Sequence, residues 1–188
     1  MTATTTETPG YLAGTWQIDP THSNVTFSIR HMMVSKVRGS FGEFTGTIVT
    51  GQAIADSSVT ASIVMNSIDT GNEQRDGHLR NNDFFDIENF PTMSYRSTAI
   101  RQDGDDFIVD GELTLRGVTK HVPLKLEISG VGPDAYGGTR IGFEARTEIN
   151  RQDFGVNWSG ALETGGVVVS DKVGIELDIQ AVLEVPQA

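Results

Sequence analysis

From Val25 to Ile179 the chain keeps returning to a period of two, apolar then polar, and this rhythm constrains the fold more than any other feature. Val25, Phe27 and Ile29 alternate with Thr26, Ser28 and Arg30, and Phe44 and Ile48 oppose Thr45, Thr47 and Val49. Val59, Ala61, Ile63 and Met65 continue the pattern. Phe107, Val109, Leu113 and Leu115 then alternate with Ile108, Asp110, Glu112 and Thr114, and the runs 122–129, 141–149 and 173–180 repeat it. Successive side chains of an extended chain leave opposite faces, so each run reads as a strand with one apolar and one wet face. Asp103-Gly104, Arg116-Gly117 and Gly137-Gly138 punctuate the runs as turns, which makes consecutive strands hairpin partners. About eight strands result. Such strands bury their apolar faces by stacking as a sandwich or by closing into a barrel, and the pattern alone does not choose.

One segment leaves the rhythm. Thr70-Gly-Asn-Glu73 has capping-box spacing and predicts one short helix over about residues 72–81, weakened by Gly77. Residues 1–13, rich in Thr and poor in apolar side chains, are expected to form a flexible arm, and residues 14–188 a single domain.

A chain of 188 residues can bury a substantial core unaided, and the absence of Cys excludes disulfides, thiolate metal sites and Cys nucleophiles. The formal charge of -11 makes nucleic acid and anionic membrane surfaces poor partners. No apolar run is long enough for a membrane-spanning helix. Met1 to Gly14 shows neither the basic nor the apolar region of a secretory signal, so the expected location is cytoplasmic.

Ionisable groups crowd the helical segment, where Glu73, Arg75, Asp76, His78 and Arg80 adjoin Leu79, Phe84 and Phe85. Arg75 and Asp76 can be read as struts pinning the helix, as contacts to a ligand head group, or as parts of an acid/base site with His78. Asp76 and His78 are two residues apart and point to different helix faces, which argues against a dyad. No metal site is expected, because His22, His31, His78 and His121 lack ligand spacing. Neither a Gly-x-Ser-x-Gly elbow nor a phosphate loop occurs. Arg151-Gln152-Asp153, beside Phe154 and Trp158, reads as a second mixed cluster or a solvated turn.

Five stretches together resemble the YceI-like family of polyisoprenoid-binding, lipocalin-like proteins: Trp16 to Ser23 with Val25 to His31, Gly39 to Gly46, Asn72 to Asp86 with Phe90-Pro91, Gly111 to Lys120, and Ile149 to Gly155. The resemblance implies an all-β, eight-stranded antiparallel lipocalin-like β-barrel with one short helix near the barrel end and an elongated internal tunnel. It further implies an isoprenoid quinone or fatty amide as ligand, and admits a homodimer; many family members are exported. A barrel of about eight strands is only just wide enough for its own side chains or one slender ligand.

On that basis the tunnel is expected to be lined by Phe27, Ile29, Met33, Phe44, Ile63 and Met65 from the first half of the chain. Leu79, Phe84, Phe85, Tyr95, Phe143, Phe154 and Trp158 extend the lining, and Met93 adds a third adaptable thioether. His22, Arg75 and His78 are expected to face a polar head group near the mouth. The expected function is to bind a long-chain isoprenoid such as a polyprenyl quinone, or a fatty amide or acid, for storage, transport or sequestration, with no catalytic residue and no cofactor beyond the lipid. One rival is an isomerase or hydrolase using His78 and Asp76 on a bound lipid, which requires a carboxylate and an imidazole converging inside the cavity. The other is a stress-linked interaction module whose barrel is filled solid.

Overall fold

Eight long antiparallel strands, four of them broken in two, account for twelve β-segments in the computed structural model, which describes residues 8–160 and 168–186. The first strand is β1 (Gly14–Ile18) with β2 (Asn24–His31), the second β3 (Ser35–Phe41) with β4 (Phe44–Thr50), and the third β5 (Ser58–Val64) with β6 (Ile68–Asp69). β7 (Thr92–Asp103) and β8 (Asp106–Leu115) run unbroken, the sixth strand is β9 (Val118–His121) with β10 (Leu124–Pro133), and β11 (Thr139–Asn150) and β12 (Val169–Leu183) complete the series. Each strand pairs with the next, and β12 returns along its free edge to pair with β2 and then β1. The ring therefore closes as a barrel rather than a sandwich, which leaves no long edge exposed.

Two of the four breaks follow from proline. Pro20 and Pro123 cannot donate to a ladder, so a strand containing either must open there. At the first break the Ser23 hydroxyl donates to the Gln180 carbonyl at 3.2 Å and accepts from the Gln180 N–H at 3.0 Å, restoring two ladder bonds. At the other, the Tyr95 side chain passes over the adjacent strand β8 and its hydroxyl donates to the Val122 carbonyl at 2.9 Å. That reach requires glycine opposite it, because a Cβ at Gly111 would sit 2.4 Å from the Tyr95 oxygen. Burial pushes the Tyr95 hydroxyl well above its ordinary pKa, so it stays a neutral donor.

β8 shows the alternation most plainly: Phe107, Val109, Gly111, Leu113 and Leu115 are all buried, with half-buried residues between them. The expected turns occur with positive φ at Gly104, Arg116, Gly117 and Gly137. The short helix α1 (Glu73–Arg80) lies within the span expected for it, but its cap is Asn72, whose side chain accepts from the Arg75 N–H at 2.9 Å. Thr70 is unavailable for capping because its hydroxyl is already committed to Asp76 and Arg75.

α1, the β2–β3 tip, the Arg116-Gly117 turn and the 3-10 turn Arg151–Phe154 share one end of the barrel. At the far end Trp16, wholly buried, packs with Ile48, Ile141 and Ala181 and donates from its indole N–H to the Thr50 hydroxyl at 2.9 Å. Of the arm expected over residues 1–13, residues 1–7 lie outside the described residues. Tyr11 is tied to the barrel through hydrogen bonds to the Gly51 carbonyl at 2.8 Å and the Ser57 hydroxyl at 3.2 Å.

Candidate functional site

The apolar faces do not fill the barrel. Below α1 lies a cavity of about 220 Å³, walled by Phe27 and Ile29 of β2, Val37 and Phe41 of β3, Met65, Leu79 of α1, and Phe84, Phe85 and Trp158. A second cavity of about 180 Å³ continues toward the far end, walled by Phe44, Ile63, Tyr95, Leu113, Phe143 and Ile179 among others. Val25, Met93 and Ile175 line both, so the two chambers share a collar. Met93 is the flexible member of that collar, and an unbranched thioether can yield to a chain passing between the chambers.

The lining is apolar because the alternation is: β5, β7, β8, β10, β11 and β12 each turn one face inward. The largest inward rings are accommodated by missing side chains opposite them. A Cβ at Gly39 would lie 2.3 Å from the Phe27 ring, which leans across its partner strand and meets Phe41 at a ring separation of 5.7 Å.

Charged and hydrogen-bonding groups gather at the helix end. Asp76 is buried and accepts from both the N–H and the hydroxyl of Thr70, the former at 3.1 Å from each carboxylate oxygen. The Thr70 hydroxyl in turn accepts from Arg75 Nε at 2.7 Å, and the Thr70 carbonyl accepts from Arg75 Nη2 at 2.7 Å. A guanidinium has five N–H donors, so three on Arg75 have no partner among the described residues, and the side chain borders the helix-side chamber. His78 also borders that chamber, its ring edge-on to Phe84 at 5.0 Å and to Trp158 at 5.2 Å, with Nε2 2.8 Å from Asp83 Oδ2.

Arg151 is a strut. It is buried, and its guanidinium donates to the carbonyls of Ser170, Val156, Trp158 and Val169, with Asp171 beside it at 3.4 Å. Desolvation lowers its pKa, partly offset by Asp171. Four carbonyls converging on one cation fix the backbone that carries Trp158 against β12, and so set one wall of the chamber.

Most residues expected at the tunnel wall are there: Phe27, Ile29, Met65, Leu79, Phe84, Phe85 and Trp158 border the helix-side chamber, and Phe44, Ile63, Tyr95 and Phe143 the far one. Three expectations are corrected. Met33 is 59% exposed at the β2–β3 tip with φ of 61°, because the hairpin turns there and carries it out of the inward series. Phe154 is 1% exposed and packs into the solid core under the 3-10 turn, touching neither chamber. His22 is away from the mouth, paired with Asp19 at 2.8 Å in the break between β1 and β2. Arg140, 2.7 Å from the same carboxylate, and His22 hold Asp19 well below the usual carboxylate range.

The His78–Asp76 dyad does not form, since Asp76 turns to Thr70. The carboxylate that His78 meets, Asp83, is outside the cavity lining and half-exposed. Sequence reading missed the role of Arg151, taking it for part of a mixed or solvated cluster, and missed Val25 and Ile175 as a collar.

A family model described as the YceI-like domain matches residues 16–181. A UPF0312 protein of Staphylococcus epidermidis is 37% identical over 86% of this chain and 93% of its own length. In three dimensions the crystal structure of Burkholderia cenocepacia BcnA superposes with a TM-score of 0.76 at 23% identity, covering 87% of this chain and 98% of that one. A polyisoprenoid binding domain from Saccharophagus degradans, implicated in plant cell wall breakdown, superposes with a TM-score of 0.69 at 17% identity over 92% of this chain and all of its own.

Proposed function

The chain belongs to the YceI-like family, and from that premise we propose that its barrel holds a long-chain isoprenoid, such as a polyprenyl quinone, or a fatty amide or acid, for storage, transport or sequestration. The observation that carries this reading is a pair of neighbouring, almost purely apolar chambers that share the wall residues Val25, Met93 and Ile175, with polar groups confined largely to the helix end. The polyisoprenoid-binding description of the Saccharophagus degradans domain agrees with it.

The chambers of about 220 and 180 Å³ together have room for roughly a dozen methylene-sized units at about 30 Å³ each. At ~0.8 kcal/mol per buried methylene, such a chain contributes about 10 kcal/mol, comparable with an association cost of about 4–15 kcal/mol. The tail runs past the Val25–Met93–Ile175 collar into the far chamber. The free donors of Arg75 meet an oxygen of the head group, whereas Arg151, its five donors taken by four carbonyls and Asp171, holds the wall and does not bind ligand.

Titration of the purified protein with a homologous series of polyprenyl quinones, followed by Trp158 fluorescence and thermal unfolding, tests the reading. The expected result is saturable quenching, with a melting temperature that rises with ligand concentration and chain length. Absence of both, for quinones and fatty amides alike, rejects it.

A further inference from the structure

The β2–β3 hairpin carries a feature the barrel's interior does not use. Its tip presents Met32, Met33 and Val34 to solvent at 46%, 59% and 84% exposure. Three consecutive large apolar side chains at a turn are thus left open to water, Val34 almost entirely. Met32 and Met33 also hold positive φ, 52° and 61°, which is uncommon for residues other than glycine.

Immediately behind the tip, the outer face of the same hairpin is basic. Arg30 faces Lys36 across the ladder, and Arg38 follows two residues on, opposite Ser28. Like charges directly opposite one another destabilise a strand pair. None of the three side chains has an ion pair among the described residues, although Asp69 and Glu176 border the outer groove that contains Lys36 and Arg38. No carboxylate occurs in the sequence between Asp19 and Glu43, in a chain whose formal charge is -11. An acidic protein thus presents a cationic face directly behind an apolar tip.

The place of the tip matters as much as its chemistry. Ile29, His31 and Val37, within a few residues of the tip on either strand, line the helix-side chamber with Trp158 and Val168. The Met32 N–H donates to the Val168 carbonyl at 2.8 Å, tying the tip to that wall.

We infer that the β2–β3 tip is a docking element for an anionic lipid bilayer: Met32, Met33 and Val34 enter the acyl boundary, and Arg30, Lys36 and Arg38 contact lipid phosphates. Apolar anchors ringed by cations are the combination that binds such an interface, the anchors through burial and the cations through the negative surface potential. The overall negative charge keeps the rest of the surface off the membrane and so fixes orientation, with the helix-side chamber nearest the lipid. The docking itself stands apart from the lipid-carrier reading; its purpose, exchange of a bound lipid with the bilayer, rests on that reading.

Sedimentation of the full chain with vesicles of phosphatidylcholine and phosphatidylglycerol in equal parts, against vesicles of phosphatidylcholine alone, tests the inference. The wild type is expected to bind the anionic vesicles, to bind the neutral ones at least tenfold more weakly, and to be released by salt. Arg30→Gln with Lys36→Gln and Arg38→Gln removes three cations at about fivefold each, a loss on the order of a hundredfold. Met33→Asn with Val34→Ser removes the two more exposed anchors, suits the left-handed backbone at residue 33, and lowers binding by tenfold or more. All five positions are exposed, so both variants should melt as the wild type does.

Equal binding to both vesicle types, no binding to either, or wild-type binding by both variants overturns the inference. A second assay keeps it separable from the carrier reading: loading of a short-chain quinone from aqueous solution needs no bilayer and should be unchanged in both variants. Vesicle binding without loading supports the docking tip and defeats the carrier; loading without vesicle binding does the reverse.

Discussion

Ala61→Phe should shorten the chain length that the barrel accepts. Ala61 lies on β5 between Gly46 and Tyr95 in register and lines the far chamber but not the helix-side one. A phenyl ring there occupies the space that the end of a long tail would fill. That chamber, about 180 Å³, has room for roughly six methylene-sized units at about 30 Å³ each. At ~0.8 kcal/mol per methylene their exclusion costs about 5 kcal/mol, or three to four decades in Kd. A short ligand confined to the helix-side chamber should keep its affinity. Trp158 borders that chamber and reports on both ligands through fluorescence, and a thermal melt separates the binding change from an overpacking cost of about 1–3 kcal/mol. Equal weakening of short and long ligands, or no weakening of the long one, would refute the two-chamber path.

Three further outcomes follow from side chains held by hydrogen bonds within the barrel. Tyr95→Phe leaves the buried Val122 carbonyl without its 2.9 Å donor and should destabilise the barrel by about 1–2 kcal/mol in urea titrations; an unchanged midpoint would deny Tyr95 its bridging role. Arg151→Lys replaces a five-donor fork with three donors on a point charge, so at least one of the carbonyls of Val156, Trp158, Val169 and Ser170 goes unpaired. A loss of about 2–4 kcal/mol is expected, with altered Trp158 emission. Asp19 is ionised more readily folded than unfolded, first because of Arg140 and then His22, so its contribution is full above the unfolded pKa of about 4 and fades as pH falls through the lower folded value. Asp19→Asn should therefore be less stable than wild type by about 1 kcal/mol at neutral pH, with the gap closing in strong acid; a gap independent of pH would contradict the linkage.

The strands were legible because each has a wet face: Asp110, Glu112 and Thr114 between Val109, Leu113 and Leu115 can be read only as extended chain. The breaks were half-legible, since Pro20 and Pro123 forbid a continuous ladder, but their repair by Ser23 and Tyr95 depends on residues 157 and 27 positions away. Met33 was misplaced because thioethers suit a lipid tunnel, whereas the turn that exposes it is set by hairpin register. Arg151 looked solvated because a charged residue in a turn usually is; only the assembled barrel brings four carbonyls to it. Hollow and solid interiors share one alternation pattern, and the difference is a volume that depends on strand stagger and on every inward side chain at once.

An apolar chain occupying the space between those side chains is what the proposed function requires. Detergent-free purification, organic extraction and mass spectrometry of what is released test this most directly. A stoichiometric isoprenoid or long-chain fatty compound is the expected finding, displaced to shorter species in Ala61→Phe. Protein that yields no such compound, and takes up none when isoprenoid quinones or fatty amides are supplied, would contradict it.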